Sequence, residues 1–252
     1  MPPTPVNAYD VWHRTLAKKE AAGSPLAHPW YASVFRELAQ IPGGRLLEVG
    51  CGRGEFAVWL STQRPDLEIT AMDFSPAAID IARQRVAQNG ASVQFVEGDA
   101  EAIPFPDDAF DIVISCECME HVPHPPQMAR EMARVLKQGG QFALTTPSQL
   151  NGVLLAWLHA RLTGRPYNSG AGVQPRENFY FFWNVKRYLQ DAGLEVGRME
   201  SSGYQWLLLP RVDPAKLRTD QFQSNWARKL AFPFGLHFSF FGTKMRGESR
   251  ET

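Results

Sequence analysis

The residues of this 252-residue chain that could do chemistry begin with Glu48, Gly50, Gly52 and Gly54, in the stretch RLLEVGCGRGEFA. Glycines at this spacing permit positive φ at little steric cost and let a ligand lie against bare backbone. A dinucleotide turn would read G-x-G-x-x-G and aim a helix N-terminus at pyrophosphate. Here the turn reads G-x-G-x-G, with a carboxylate two residues before the first glycine. That carboxylate would repel pyrophosphate and would suit a ligand carrying an ammonium or sulfonium cation. A tight turn without a ligand is the plain alternative.

Acidic residues recur further along. Asp73 follows the apolar run Leu67–Met72, about 20 residues past the glycines, where a carboxylate at a strand tip can accept from two ribose hydroxyls. Its alternative role is to cap the helix that starts nearby, with Ser75 as N-cap and Pro76 as first helical residue. Asp99 stands at another strand end and can accept from an exocyclic adenine amine, while Ala100 offers its backbone N–H to a ring nitrogen. The run Cys116-Glu117-Cys118-Met119-Glu120-His121 follows a fourth strand. As one helical turn it would bring Glu117, Glu120 and His121 onto one face. Two carboxylates and an imidazole so placed can bind a divalent cation such as Mg2+, which would lower an acceptor's pKa. Without a metal, His121 is the candidate general base; a purely structural role is the third reading. The pair Cys116 and Cys118 with His121 fits structural zinc spacings poorly.

The elements that must position these residues alternate strand and helix. Leu46–Val49 reads as a buried strand, followed by a helical pattern through Phe56, Ala57, Val58 and Leu60. Further strands are expected at Leu67–Met72, Val93–Val96, Phe110–Ser115, Gln141–Thr146, Leu194–Ser201 and Leu236–Lys244, with helices over Pro125–Lys137 and Asn184–Ala192. Residues 1–44 read as a helical cover, or a lid with Trp30 and Tyr31 touching substrate. Residues 148–183 hold an apolar helix, Val153–Leu162, and a glycine-rich loop, Asn168–Gly172; with 203–235 they read as substrate-cover segments. The helix has two other readings, contact with a membrane surface or with a second subunit. Phe179–Trp183 and Trp206 could line an aromatic pocket, and more often such a cluster is core. Arg246–Thr252 reads as a frayed tail.

Basic and acidic residues balance at 26 each, which leaves no footprint, beyond a local patch, for duplex nucleic acid or an anionic membrane. The three cysteines, Cys51, Cys116 and Cys118, make no disulfide framework. A cytoplasmic setting is expected from them and from an N-terminal stretch with no apolar signal core. No stretch approaches the roughly 20 apolar residues of a membrane span.

In order and spacing, LLEVGCGRGE, MDFSP, GDAEAIPFPDDAFDIVIS and RVLKQGGQFALTTP resemble the class I S-adenosylmethionine-dependent methyltransferases across residues 45–147. The length allows one large domain, and a single domain over 1–252 is expected; the resemblance implies an α/β, Rossmann-like sheet of seven mostly parallel strands, helices on both faces and one antiparallel strand near the C-terminus. It implies that Glu48, Gly50, Gly52 and Gly54 surround the methionine part of S-adenosylmethionine, with Cys51 and Cys116 among the cofactor-binding residues. Asp73 would bind the ribose, Phe74 would lie beside the adenine, and Asp99 and Ala100 would hold its edge. CECMEHVPHP also resembles the E-x-x-E-H stretch of two branches, the ubiquinone-pathway O-methyltransferases and the small-RNA 2′-O-methyltransferases, which use those positions for a divalent metal. The RNA branch has a further histidine near the position that here reads Arg176-Glu177-Asn178-Phe179, and none stands there. The expectation is methyl transfer to a small-molecule acceptor, most simply a hydroxyl or phenol. The rivals are a metal-independent N- or C-methyltransferase, an RNA enzyme, and a non-catalytic module that binds the cofactor.

Overall fold

Strand β1 (Gly44–Val49) buries its last four residues, and its alternation sorts them between two cores. Leu46 faces a cluster built on helices α2 (Pro29–Leu38), α3 (Glu55–Gln63) and α4 (Pro76–Asn89). Leu47 and Val49 face the opposite cluster, with Met128 and Met132 of α5 (Pro125–Val135) and Val185 and Leu189 of α7 (Phe182–Asp191). A strand apolar on both faces must be covered on both, and the helices supply the two layers. The computed structural model describes residues 5–17, 23–164, 174–204, 217–222 and 224–246.

The remaining strands are β2 (Leu67–Asp73), β3 (Val93–Glu97), β4 (Phe110–Cys116), β5 (Leu136–Pro147), β6 (Leu194–Ser202) and β7 (His237–Lys244). They form one sheet in the order β3-β2-β1-β4-β5-β7-β6. Strands β1 to β5 run parallel, and β7 lies antiparallel between β5 and β6. The expected seven-stranded, mostly parallel sheet is therefore present. The chain leaves β1 toward β2 on one side and reaches β4 on the other. That reversal opens a crevice beyond the carboxyl ends of the strands, the usual ligand position in an open α/β sheet. Ser75 caps α4 by accepting from the Ala78 amide, Pro76 is its first residue, and Gly90 ends it in the left-handed region.

The clearest departure from the sequence reading is around residue 136. The helix stops at Val135, before Lys137 and the glycine pair, and Leu136 is already paired with Phe110 in β5. Strand pairing, together with the bond from Lys137 Nζ to Asp111 Oδ1 (2.6 Å), wins over helical propagation. Helix α1 (Pro5–Ala17) lies on α4, anchored by the Asp10 carboxylate, which accepts from the Ser75 hydroxyl and the Ala77 amide. After β5 the chain forms a π-helical turn, Leu150–Leu155, that runs on into α6 (Ala156–Thr163). A last helix, α8 (Asn225–Ala231), precedes β7. The glycine-rich loop at 168–172, Trp206 and the tail beyond Arg246 lie outside the described residues.

Candidate active site

The turn after β1 is built as its glycines require. Gly50, Gly52 and Gly54 have φ of +77°, +53° and +71°. A Cβ on Gly50 would come within 2.3 Å of Cys118 Sγ, and one on Gly54 within 2.7 Å of the Phe95 ring. The turn is tied to the end of β2: the Gly50 and Cys51 amides donate to the Met72 carbonyl (2.8 and 2.9 Å), and the Gly52 amide donates to Asp73 Oδ2 (2.8 Å). Asp73 also accepts from the Ser75 amide on Oδ1 (3.0 Å), so it caps the next turn and holds the glycine turn at once. Each carboxylate oxygen keeps further acceptor capacity.

Above this turn lies a cavity of about 800 Å³. Of the expected cofactor residues, Gly50, Cys51, Gly52, Asp73, Phe74, Asp99, Ala100 and Cys116 line it. Asp99 is exposed at its rim, with Oδ1 accepting from the Glu101 amide (2.8 Å). Glu48 and Gly54 are not in the lining. Gly54 packs on Phe95 and Ala82, and Glu48, on the Leu46 face of β1, is 2% exposed with Oε2 unpartnered. Burial, with Asp73 adding repulsion, pushes the Glu48 carboxyl up to about 8. An orphaned buried carboxylate beneath the turn fits a cation bound above it. Burial also drives the thiols of Cys51, Cys116 and Cys118 upward, so they are neutral lining groups.

The N-terminal helices close the mouth. Tyr9, Trp12 and His13 of α1 and Trp30 and Tyr31 of α2 all line the cavity. Tyr9 stands edge-on to Phe74 (5.0 Å between centroids), and its hydroxyl donates to the Arg176 carbonyl (3.0 Å). Gln174, Pro175 and Arg176 complete the rim. No described residue of 203–235 lines the cavity, and neither does Phe179–Trp183. Phe182 is instead packed on Phe232 and Phe238 in the core.

The segment after β4 differs from the expected helical turn. A 3-10 turn covers only Met119–His121, and Glu117 precedes it with φ +52°, rare for a residue with a side chain. Its amide donates to Thr145, and its carboxylate Oε2 pairs with His237 Nδ1 at 2.7 Å. Glu120 turns into the core, where its Oε2 accepts from the Thr146 hydroxyl (3.2 Å) and burial raises its pKa well above the usual range. Among the described residues no group of three His, Cys, Asp or Glu side chains is placed to hold a metal ion, so nothing in this arrangement supports the divalent cation expected at Glu117, Glu120 and His121.

His121 and Glu117 both line the cavity. His121 Nδ1 meets the Arg176 carbonyl at 2.5 Å, so that nitrogen carries the proton, and burial lowers the pKa so that the ring is neutral. Its Nε2, an acceptor in that tautomer, is buried without a hydrogen-bond partner, as is Glu117 Oε1. His237 was missed by sequence reasoning; it stands 120 positions from Glu117, and nothing in its local pattern marks it.

Residues 47–144 match a family model described as a methyltransferase domain. Over that span the chain carries a methyltransferase domain, built on the Rossmann-like sheet described above. Its curated relatives include the malonyl-[acyl-carrier protein] O-methyltransferase of Paenibacillus sp., 38% identical over 105 residues, covering 40% of this chain and 38% of that protein. They also include the demethylmenaquinone methyltransferase of Deinococcus radiodurans, 34% identical over 136 residues and 54% of each chain. This chain spans roughly half or less of the two relatives' lengths. An S-adenosylmethionine-dependent methyltransferase structure from Thermotoga maritima superposes with a TM-score of 0.63 at 20% identity, covering 94% of this chain and 99% of that one; at that identity it shows the fold alone.

Proposed function

We propose that the chain transfers a methyl group from S-adenosylmethionine to a small-molecule acceptor that donates a hydrogen bond, in the first instance a hydroxyl or phenol. The observation that carries this reading is the pair of orphaned acceptors in one cavity, His121 Nε2 and Glu117 Oε1. Both atoms can accept hydrogen bonds, and a bound molecule that brings O–H or N–H groups would satisfy them. When bound, S-adenosylmethionine supplies an activated methyl on a sulfonium. The glycine turn, Asp73, Asp99 and the Ala100 amide are the groups that would hold it, and Glu48 would balance its charge. The protein's remaining work is to fix the acceptor atom in line and to take its proton. Positioning alone contributes up to roughly 7–11 kcal/mol in ideal cases. His121 takes the proton at Nε2, with its tautomer held by the Arg176 carbonyl, while Glu117, steadied by His237, orients the donor.

A second reading is methylation of a ring carbon beside a phenolic hydroxyl. It is supported by the relatives named demethylmenaquinone methyltransferase and ubiquinone/menaquinone biosynthesis C-methyltransferase. The hydrogen-bonding demand is the same, since removing the phenolic proton activates the adjacent carbon. Mass spectrometry of labelled methyl transfer across phenols, hydroquinones, aliphatic alcohols and amines tests both, and fragmentation separates oxygen from carbon products. Activity is expected to persist in excess chelator. Transfer only to acceptors without O–H or N–H donors would refute the proposal.

A further inference from the structure

The run after β5 turns an apolar stripe outward. Leu154, Trp157, Leu158 and Leu162 share one helical face by their i, i+3, i+4 and i+8 spacing. Such a stripe ordinarily faces a core. Here Trp157 is 64% and Leu162 76% exposed, and α6 buries no residue at all. Helix α8 repeats the arrangement: Trp226 and Leu230, four residues apart, are 71% and 64% exposed, and α8 buries nothing either. The two helices leave from one junction, where the Asn151 side-chain amide donates to the Phe234 carbonyl in the turn that follows α8. Arg161, Arg228 and Lys229 are exposed on these helices, and neither 149–163 nor 224–235 contains an aspartate or glutamate. The neutral balance of the whole chain conceals this local imbalance.

We propose that α6 and α8 form a peripheral docking surface for an anionic phospholipid bilayer. Tryptophan and leucine beside arginine and lysine are what an interfacial helix offers such a surface, the rings at headgroup depth and the cations on lipid phosphates. A second copy of the chain fits less well, because a two-fold contact would set this cationic rim against itself. Contact is from one side: among the described residues no helix is long and apolar enough to cross a membrane.

Vesicle flotation of the whole chain tests the proposal, with tryptophan emission as a second readout. The chain should float with phosphatidylglycerol vesicles and shift its emission to the blue, float poorly with phosphatidylcholine, and lose binding in high salt. The double variant Trp157→Ser, Leu162→Ser and the double variant Arg161→Glu, Lys229→Glu should each weaken partitioning about tenfold or more. These positions are exposed, so thermal midpoint and cofactor affinity should stay unchanged, which separates a lost surface from a lost fold. No flotation with phosphatidylglycerol at low salt would overturn the proposal. So would equal binding to both lipids, or a stable dimer that the Trp157→Ser, Leu162→Ser variant disperses.

Discussion

At the scale of single residues, the carboxylates round the cavity separate into those that hold the fold and those that face a ligand. Asp73 holds the fold, since the Gly52 and Ser75 amides depend on it, and it also lines the cavity. Asp73→Ala should therefore abolish cofactor binding and also cost about 1–3 kcal/mol of stability by leaving buried amides unpaired. Asp99 is exposed at the rim, and Asp99→Ala should lower affinity for S-adenosylmethionine about tenfold in calorimetry while denaturant midpoints barely move. Glu48 gives a pH signature. Its carboxyl is raised from 4.5 to about 8, so the unliganded fold binds a proton that the unfolded chain has released. That contribution is complete below pH 4.5 and is lost as the pH climbs to about 8. Glu48→Gln should erase the decline, making the unliganded variant more stable than the parent at pH 8 by on the order of 3 kcal/mol, with the gap closing at pH 5. Urea denaturation of both proteins at the two pH values measures it.

At the scale of elements, α1 is the part whose attachment is conditional. His13 is buried against Arg53, with Nδ1 and Nη1 3.4 Å apart, and burial followed by the Arg53 charge lowers its pKa to about 4. The docked helix therefore excludes a proton that the free helix takes up below about 6.5. Stability from this contact is present above that pH and is lost as the pH falls toward 4. Amide hydrogen exchange in α1, corrected for intrinsic rates, should accelerate about tenfold between pH 7 and pH 5 ahead of the sheet. His13→Asn, which keeps an acceptor near Nδ1 and cannot titrate, should remove that acceleration. The contrast with α4 shows what the sequence could reveal. Ser75-Pro76 at one end of α4 and Gly90 at the other are local signals, and the helix lies between them. The glycine turn and Asp73 were legible for the same reason, being one strand–turn–helix unit and the tip of the next strand. The docking of α1, the end of α5 and the Glu117–His237 pair were not, because each is decided by contacts across the sheet. Helical spacing likewise misplaced Glu117, whose left-handed backbone is held by Thr145 of the neighbouring strand.

At the scale of the molecule, the cavity is assembled from parts far apart in sequence: α1, the carboxyl edge of the sheet, and the 174–176 segment. Tyr9 joins all three, through Phe74, His121 and the Arg176 carbonyl. A ligand filling the cavity touches every part and binds only the assembled form, so its binding energy appears as folding stability. Saturation at a hundredfold excess over Kd adds about 2.7 kcal/mol, and for a chain of this size that corresponds to a rise in thermal midpoint of about 5–10 °C. S-adenosylmethionine should produce that rise in the parent protein. Deleting residues 1–17 should shrink it, since the remaining sheet would hold the cofactor without its cover. Tyr9→Phe, which loses one hydrogen bond, should fall between the two. Differential scanning calorimetry of the three proteins with and without cofactor would decide the matter: an equal rise in all of them would mean that the cofactor is held by the sheet edge alone and that α1 serves only the acceptor.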